Sequence, residues 1–402
     1  MRAFVALSFA LAACGSATIV PAAPDASTPV DVASLDVAAP DASPDVASPP
    51  DVAPPPDADP PAPGRCASSS LITRDLVGAA QVASVAGGLV IAWYPNGGGS
   101  VMVQGFSDSL TPYGAALALP LLTNGVENLS LSFDGAAGVV GAGSSLYLLA
   151  LDGGMNLSLT RRADFPRAIV RHAWMATESL AHGVLADGRY VFANAMAESA
   201  NTPNTALSPP HGAAASFAPT LGGYLSVEPV ATAGGTRVLQ RRFVFGHGAA
   251  LQVGSSTGDG VSASPTVIAG DALTRLVQSE GRDVDVSLER RDVNTFALLG
   301  EPTLLQRAAA WNGTHGAIDG SGGEAFVAWA AHPPSGGFNS AVQAMWAGER
   351  GPREVFHHAR GVPVRVFAAV SAADAALGWV LYGVDEIAGG FVLFGRCVVR
   401  AS

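Results

Sequence analysis

Gln81-Val-Ala-Ser-Val-Ala-Gly-Gly-Leu-Val-Ile-Ala-Trp93 decides the fold of this chain. Two short runs, rich in valine and alanine, flank the pair Gly87-Gly88. Glycine suits such a pair because tight hairpins often need positive φ. Ser100-Val-Met-Val-Gln-Gly-Phe106 and the stretch from Pro112 to Leu119 follow with the same character. The segment therefore reads as strand, tight turn, strand, loop, strand, turn, strand.

The turn between the first two strands recurs. It falls at Gly87-Gly88, Asp134-Gly135, near Glu178, Gly222-Gly223, Gly270-Asp271, Gly322-Gly323 and Asp374. The spacing is about 44 to 52 residues, the period of a four-stranded propeller blade. Leu89 to Trp93, Phe326 to Trp329 and Leu377 to Leu381 match as second strands. No amphipathic helical stretch of about 12 or more residues interrupts the pattern. Residues 66–402 are thus expected to be all-β, a single β-propeller of seven four-stranded blades. Six or eight blades also fit the length, and a string of β-sandwiches is the alternative fold. The seventh unit, Val364 to Arg400, holds only three strands. Ser68 to Leu76 stands unassigned before the first unit, so it is expected to supply the missing fourth strand and close the ring.

Residues 15–65 have another character. They repeat P-D-A-S, P-D-V-A-S and P-P-D-V-A, lack aromatic residues and are dense in proline and aspartate. Such a chain buries too little apolar surface to offset its ordering entropy. Proline and like charges favour an extended tether, reaching on the order of 150 Å at about 3.1 Å per residue. The tether holds a large share of the net charge of −11. All 22 basic residues are arginine, which removes lysine Schiff-base and phosphate-loop chemistry. The remaining domain is weakly acidic, with no electrostatic footprint for nucleic acid.

The first residues read as an export signal. Met1-Arg2 precedes an apolar run from Ala3 to Ala13, far short of the ~20 residues that span a bilayer. Ending in Leu11-Ala12-Ala13-Cys14-Gly15, the segment resembles the lipobox of bacterial lipoproteins. The resemblance implies a signal peptide over residues 1–13 and a lipid on Cys14, followed by the tether to residue 65. Lipid anchoring holds a chain at a membrane surface, not across it. With Cys14 used in this way, Cys66 and Cys397 remain as a pair, and outside the cytoplasm such pairs oxidise. Cys66 starts the expected closing strand and Cys397 lies in the final strand, so a disulfide would clasp the ring.

Candidate chemistry is sparse. Trp93, Trp329 and Trp379 fall at matching places in second strands, where aromatic packing between blades is the ordinary use. Gly254-Ser255-Ser256-Thr257-Gly258 matches G-x-S-x-G, but no helix follows it as a nucleophile elbow requires. It is expected to be a polar connection between units. His357-His358 is the only adjacent histidine pair, and strand neighbours point to opposite faces. Asp319-Gly-Ser-Gly-Gly-Glu324 lacks the alternating acids of a calcium loop and is expected to be a turn. No catalytic residue, metal ligand or cofactor is assigned. Arg241-Arg242 and Arg290-Arg291 sit in the third strands of adjacent units, each after an alternating stretch. They are candidates to face an anionic glycan, against the plainer expectation of solvated charges that discourage edge pairing.

Together, the lipobox and the repeat resemble those of secreted β-propeller lipoproteins of Gram-negative bacteria. The resemblance implies an outer-membrane lipid anchor, because Gly15 and not aspartate follows Cys14. The expected role is a monomeric, non-catalytic binding or scaffolding protein of the cell envelope. Its partner would be an envelope protein or a polysaccharide, with no nucleic acid bound. The alternative is a carbohydrate-active enzyme, a glycoside hydrolase or lyase, with its carboxylates at the channel mouth.

Overall fold

The computed structural model describes residues 66, 69–76, 80–96, 98–121, 129–165, 169–175, 180–185, 190–194, 200–201, 216–220, 223–232, 235–246, 249–258, 266–269, 272–278, 284–309, 316–321, 324–331, 340–358, 363–386 and 390–400. By its contacts the chain divides into units spanning Met1–Pro60 and Pro61–Ser402, and every described residue belongs to the second. The signal, Cys14 and the tether lie outside the described residues, as do the turns expected near Glu178 and at Gly270-Asp271 and Gly322-Gly323.

The described strands pair into seven four-stranded antiparallel sheets. β1 (Ser70–Leu76) comes first in the chain. The first sheet holds β2 (Ala80–Val85), β3 (Gly88–Trp93), β4 (Ser100–Ser107) and β5 (Pro112–Pro120). The second holds β6 (Ser130–Asp134), β7 (Ala137–Ala142), β8 (Ser145–Leu151) and β9 (Leu157–Asp164). β10 (Ile169–Met175), β11 (Leu180–Leu185), β12 (Tyr190–Asn194) and the two-residue β13 (Ala200–Asn201) make the third. The fourth has the long strands β15 (Gly223–Thr232), β16 (Gly235–Gly246) and β17 (Ala249–Gly258) after β14 (Ser216–Thr220). β18 (Thr266–Ala269), β19 (Ala272–Gln278), β20 (Val284–Asp292) and β21 (Thr303–Ala309) make the fifth. β22 (Gly316–Ser321), β23 (Glu324–Ala331), β24 (Ser340–Trp346) and β25 (Arg353–His358) make the sixth.

The seventh sheet is discontinuous in sequence. β26 (Pro363–Val370), β27 (Leu377–Glu386) and β28 (Gly390–Val399) take β1 as their outer, fourth strand. The first strands of successive sheets lie side by side, β2 on β6, β6 on β10, and so on to β22 on β26 and β26 back on β2. The ring is therefore closed, and the chain is a single β-propeller. Cys66 and Cys397 form a disulfide with Cα atoms 5.0 Å apart, spanning 331 residues of sequence. It sits where β1 meets β28, the one sheet that joins both ends of the domain.

Alternation along the second strand of each sheet explains how one strand serves two seams. In β3, Leu89, Ile91 and Trp93 pack toward the seventh sheet, with Trp379 and Leu381, while Val90 and Ala92 pack toward the second, with Val140 and Tyr147. In β23, Phe326, Ala328 and Ala330 meet Val380, Tyr382 and Val384 of β27. Each fully buried large side chain of this kind contributes roughly 1.5–3 kcal/mol. The three tryptophans all lie in such seams, but not at equivalent places. Trp93 and Trp329 turn toward the preceding sheet, whereas Trp379 turns toward the following one. The connection before Trp379 is longer than the two-residue turns before β3 and β23, and this shifts its register. Its indole N–H donates to the Asp108 carbonyl at 2.9 Å, tying the seventh sheet to the first.

The double-glycine signal also has a structural reason. Gly87 holds φ +89 in its turn. A Cβ on Gly88 would lie 2.0 Å from the Phe106 carbonyl oxygen, and one on Gly223 2.0 Å from that of Phe243. The second glycine is needed because the third strand crosses too close for any side chain.

A second repeat lies in the connection between third and fourth strands. Leu110, Met155 and Phe296 each adopt positive φ near +60, which non-glycine residues seldom do. Each N–H closes back on the carbonyl of Ser107, Asp152 or Asp292. Each side chain is buried in the seam with the preceding sheet. Asp292 Oδ1 accepts from the N–H groups of Asn294 and Thr295, and Asp152 Oδ1 from those of Gly154 and Asn156. These hydrogen bonds hold both carboxyls below their ordinary range. The turn thus acts as a plug, with a polar cap outside and an apolar residue inside.

Candidate functional site: the polar seams of the fourth sheet

Most described seams are apolar, but those flanking the fourth sheet carry charge. Alternation along β15 puts Tyr224, Ser226 and Glu228 on one face, opposite Phe243, Arg241 and Leu239 of β16. Arg241 pairs with Glu228, their side chains 1% and 4% exposed. Its guanidinium lies 5.7 Å from the centre of the Phe243 ring, on which Tyr224 stacks at 4.7 Å. Burial pushes the Tyr224 hydroxyl well above its ordinary value. This layer of aromatic rings and one ion pair has no water-facing side, so the pair is desolvated.

The opposite face of the fourth sheet meets the fifth. Arg242 donates to Asn294 Oδ1 across this seam. In the fifth sheet Arg275 stands directly across from Glu289, with Arg291 two residues along the same strand. Arg275 Nη2 lies 2.7 Å and Arg291 Nε 2.9 Å from the same oxygen, Glu289 Oε2. Arg275 is fully buried and Glu289 is 6% exposed. Arg291 also donates to the Phe296 carbonyl at 2.9 Å, so the plug turn holds one arm of the cluster. Gln240, fully buried on β16, shares this face of the fourth sheet.

These positions revise the sequence expectation for the four arginines. The third-strand placement is right, on β16 and β20. The solvated basic surface is not: Arg241 is buried in an ion pair, and Arg291 is a structural partner of Glu289. Arg290 is exposed and Arg242 partly so, each on the other face from its neighbour. The partners Glu228, Arg275 and Glu289 were not singled out in the sequence. Glu228 and Glu289 each interrupt an otherwise alternating strand at an inward position, which was the available signal.

Other motifs resolve as follows. Gly254 to Gly258 is no connection but the end of strand β17, paired with Val238 to Arg242. That extended backbone differs from the strand-to-helix turn that exposes a nucleophile. Asp319 and Glu324 flank the hairpin between β22 and β23, where Ser321 pairs with Glu324. Asp319 Oδ2 accepts the Val370 N–H at 2.8 Å, bracing the sixth sheet on the seventh. His357 Nδ1 lies 3.7 Å from Glu354 Oε2, both exposed. Among the described residues no group of three His, Cys, Asp or Glu side chains is placed to hold a metal ion.

Desolvation raises the Asp319 carboxyl above its ordinary value, opposed by the N–H groups of Val370 and Gly320. A raised value means the folded state keeps a proton that the unfolded chain releases. Stability from this group is therefore fully present below the unfolded value of 3.8 and is lost as pH rises through the higher folded value. Asp319→Asn keeps an acceptor for Val370 and removes the titration. The variant should gain stability over the wild type as pH rises through that acid window; parallel urea-midpoint curves would show no such linkage.

No protein-family model and no curated protein matches the chain. Solved structures do. The WD40 domain of Toxoplasma gondii coronin is similar over 83% of this chain and 85% of that one, with TM-score 0.52 and 11% identity. A chain in a structure of the mitotic checkpoint complex is similar over 92% and 99%, with TM-score 0.53 and 11% identity. At such identities the likeness concerns the fold alone, and fold does not decide function.

Proposed function

We propose that the protein is a lipid-anchored, non-catalytic binding or scaffolding propeller of the bacterial cell envelope, held off the outer membrane by its Pro/Asp tether. The anchor rests on the lipobox-like residues Leu11 to Cys14, and the tether on the composition of residues 15–65. The single observation that carries the non-catalytic part is how the inward acids are used. Glu228 is bound by Arg241, Glu289 by Arg275 and Arg291, and Asp319 by the Val370 backbone. Acids so engaged serve the ring, leaving function to its surfaces and loops, where propellers meet partners.

The test is retention. The exported protein, immobilised, is passed over a panel of purified envelope polysaccharides and over detergent-solubilised envelope proteins, with reducing-end release measured in parallel. Stoichiometric retention without turnover is the expected outcome. Glycan cleavage would favour the enzyme instead, and retention of nothing would end the binding proposal.

A further inference from the structure

β16 places Val238, Gln240 and Arg242 on one face, and that face meets the fifth sheet. Val238 packs there with Leu273 and Phe296, and Arg242 donates to Asn294 Oδ1. Gln240 stands between them on the strand. It is fully buried, and neither its Nε2 nor its Oε1 meets a protein partner. Arg242 Nε is buried and unpartnered as well. Native interiors seldom leave such donors unmet, because their desolvation is then uncompensated. Charge points the same way by a separate route. Glu289 Oε2 is already shared by Arg275 and Arg291. Arg242 meets only the neutral oxygen of Asn294, and among the described residues no carboxylate pairs with it.

We propose that the seam between the fourth and fifth sheets holds one small monovalent anion, a halide, bound between Gln240 Nε2 and Arg242 Nε. Strand residues two apart on one face stand about 7 Å from each other, a gap that a single ion can bridge. The ion gives both N–H groups an acceptor, and its charge answers the guanidinium. Turning Gln240 so that its Oε1 meets Arg242 would satisfy that N–H but not the charge. The surrounding walls are apolar, with Leu225, Val227 and Leu273 buried in the same seam, and low polarity strengthens the attraction. A phosphate or sulfate brings more charge and more acceptor oxygens than these two donors can meet. Arg242 is partly exposed, which gives the ion a way in from the rim. Its role is a structural clip between neighbouring sheets, separate from the ligand proposed above.

The experiment is urea unfolding of the full chain carrying Cys14→Ser, at constant ionic strength, with chloride exchanged stepwise for gluconate. Chloride should stabilise the ring, the unfolding constant falling about tenfold for each tenfold rise once chloride exceeds its dissociation constant. Arg242→Gln removes the charge and should flatten this dependence. Gln240→Met keeps the charge but removes one donor, and should shift the dependence to higher chloride. Either variant suffices should the other fail to fold. Crystals grown in bromide should show an anomalous peak within hydrogen-bond reach of Gln240 Nε2 and Arg242 Nε. A chloride dependence equal in the parent chain and both variants is a bulk salt effect and overturns the proposal. A bromide peak without the chloride-linked stability is an adventitious ion only, and overturns it too. So does a crystal without the peak, in which water or a protein group meets Gln240 and Arg242.

Discussion

Replacing Glu289 by alanine should destabilise the propeller by about 3–5 kcal/mol, the cost of breaking a buried ion pair from one side. Glu289 Oε2 is shared by Arg275, which is fully buried, and Arg291, whose side chain is 12% exposed. Removing the carboxylate leaves two guanidinium groups in a dry seam, 2.7 and 2.9 Å from where it stood. Water cannot easily replace it, because Phe296 and Leu273 pack the same seam. Arg275→Met with Glu289→Leu is the informative partner. It removes charge from both sides of the pair and should recover much of the loss, since apolar replacement of a buried pair is often neutral. Urea midpoints across the double-mutant cycle give the coupling. Equal losses for the single and double variants would show that packing volume, not charge, holds this seam.

Cys66→Ser or Cys397→Ser should cost a similar amount, about 3–5 kcal/mol in the chain-entropy picture. The loop is long, and the pairing it secures is irregular. β1 meets β28 through Ser70, Leu71, Thr73 and Leu76, with two register shifts. Leu76 is buried with Leu89 and Trp379, and Tyr382 donates to Ser69 at 2.7 Å, so β1 contributes to the core as well as to the edge. Without the clasp, β1 should open before the other sheets. Hydrogen exchange should quicken first over residues 70–76 and along β28, and only later elsewhere. Loss of protection spread evenly around the ring would contradict this order.

Much of this fold was legible in the chain because each sheet is built from local hairpins. Glycine pairs and alternating runs mark such hairpins directly, and the missing fourth strand of the last sheet had one place to come from. Other features were not legible. Trp379 sits on the opposite face from Trp93 because its hairpin is longer, and a few residues of loop change which side a strand presents. The plug turns were present as Ser107 to Thr111, Asp152 to Asn156 and Asp292 to Ala297, but their lengths vary and the buried residue is leucine, methionine or phenylalanine. Only the shared positive φ reveals them as one device. The arginines misled because third strands look alternating from sequence, while a charge facing the next sheet looks the same as one facing water. Strand alternation says that two faces exist, but not that Arg241 and Arg291 turn into seams while Arg290, on the other face, stays exposed.

The disulfide pairs Cys66 with Cys397, and the proposed lipid attachment would use Cys14, the third cysteine of the chain. Non-reducing peptide mapping by mass spectrometry of the exported protein tests this most directly, because all three cysteines are read at once. It should find Cys14 as a lipid-modified N-terminus and a peptide containing Cys66 linked to one containing Cys397. An unmodified Cys14 bridged to either of the others, or free thiols at Cys66 and Cys397, would contradict it.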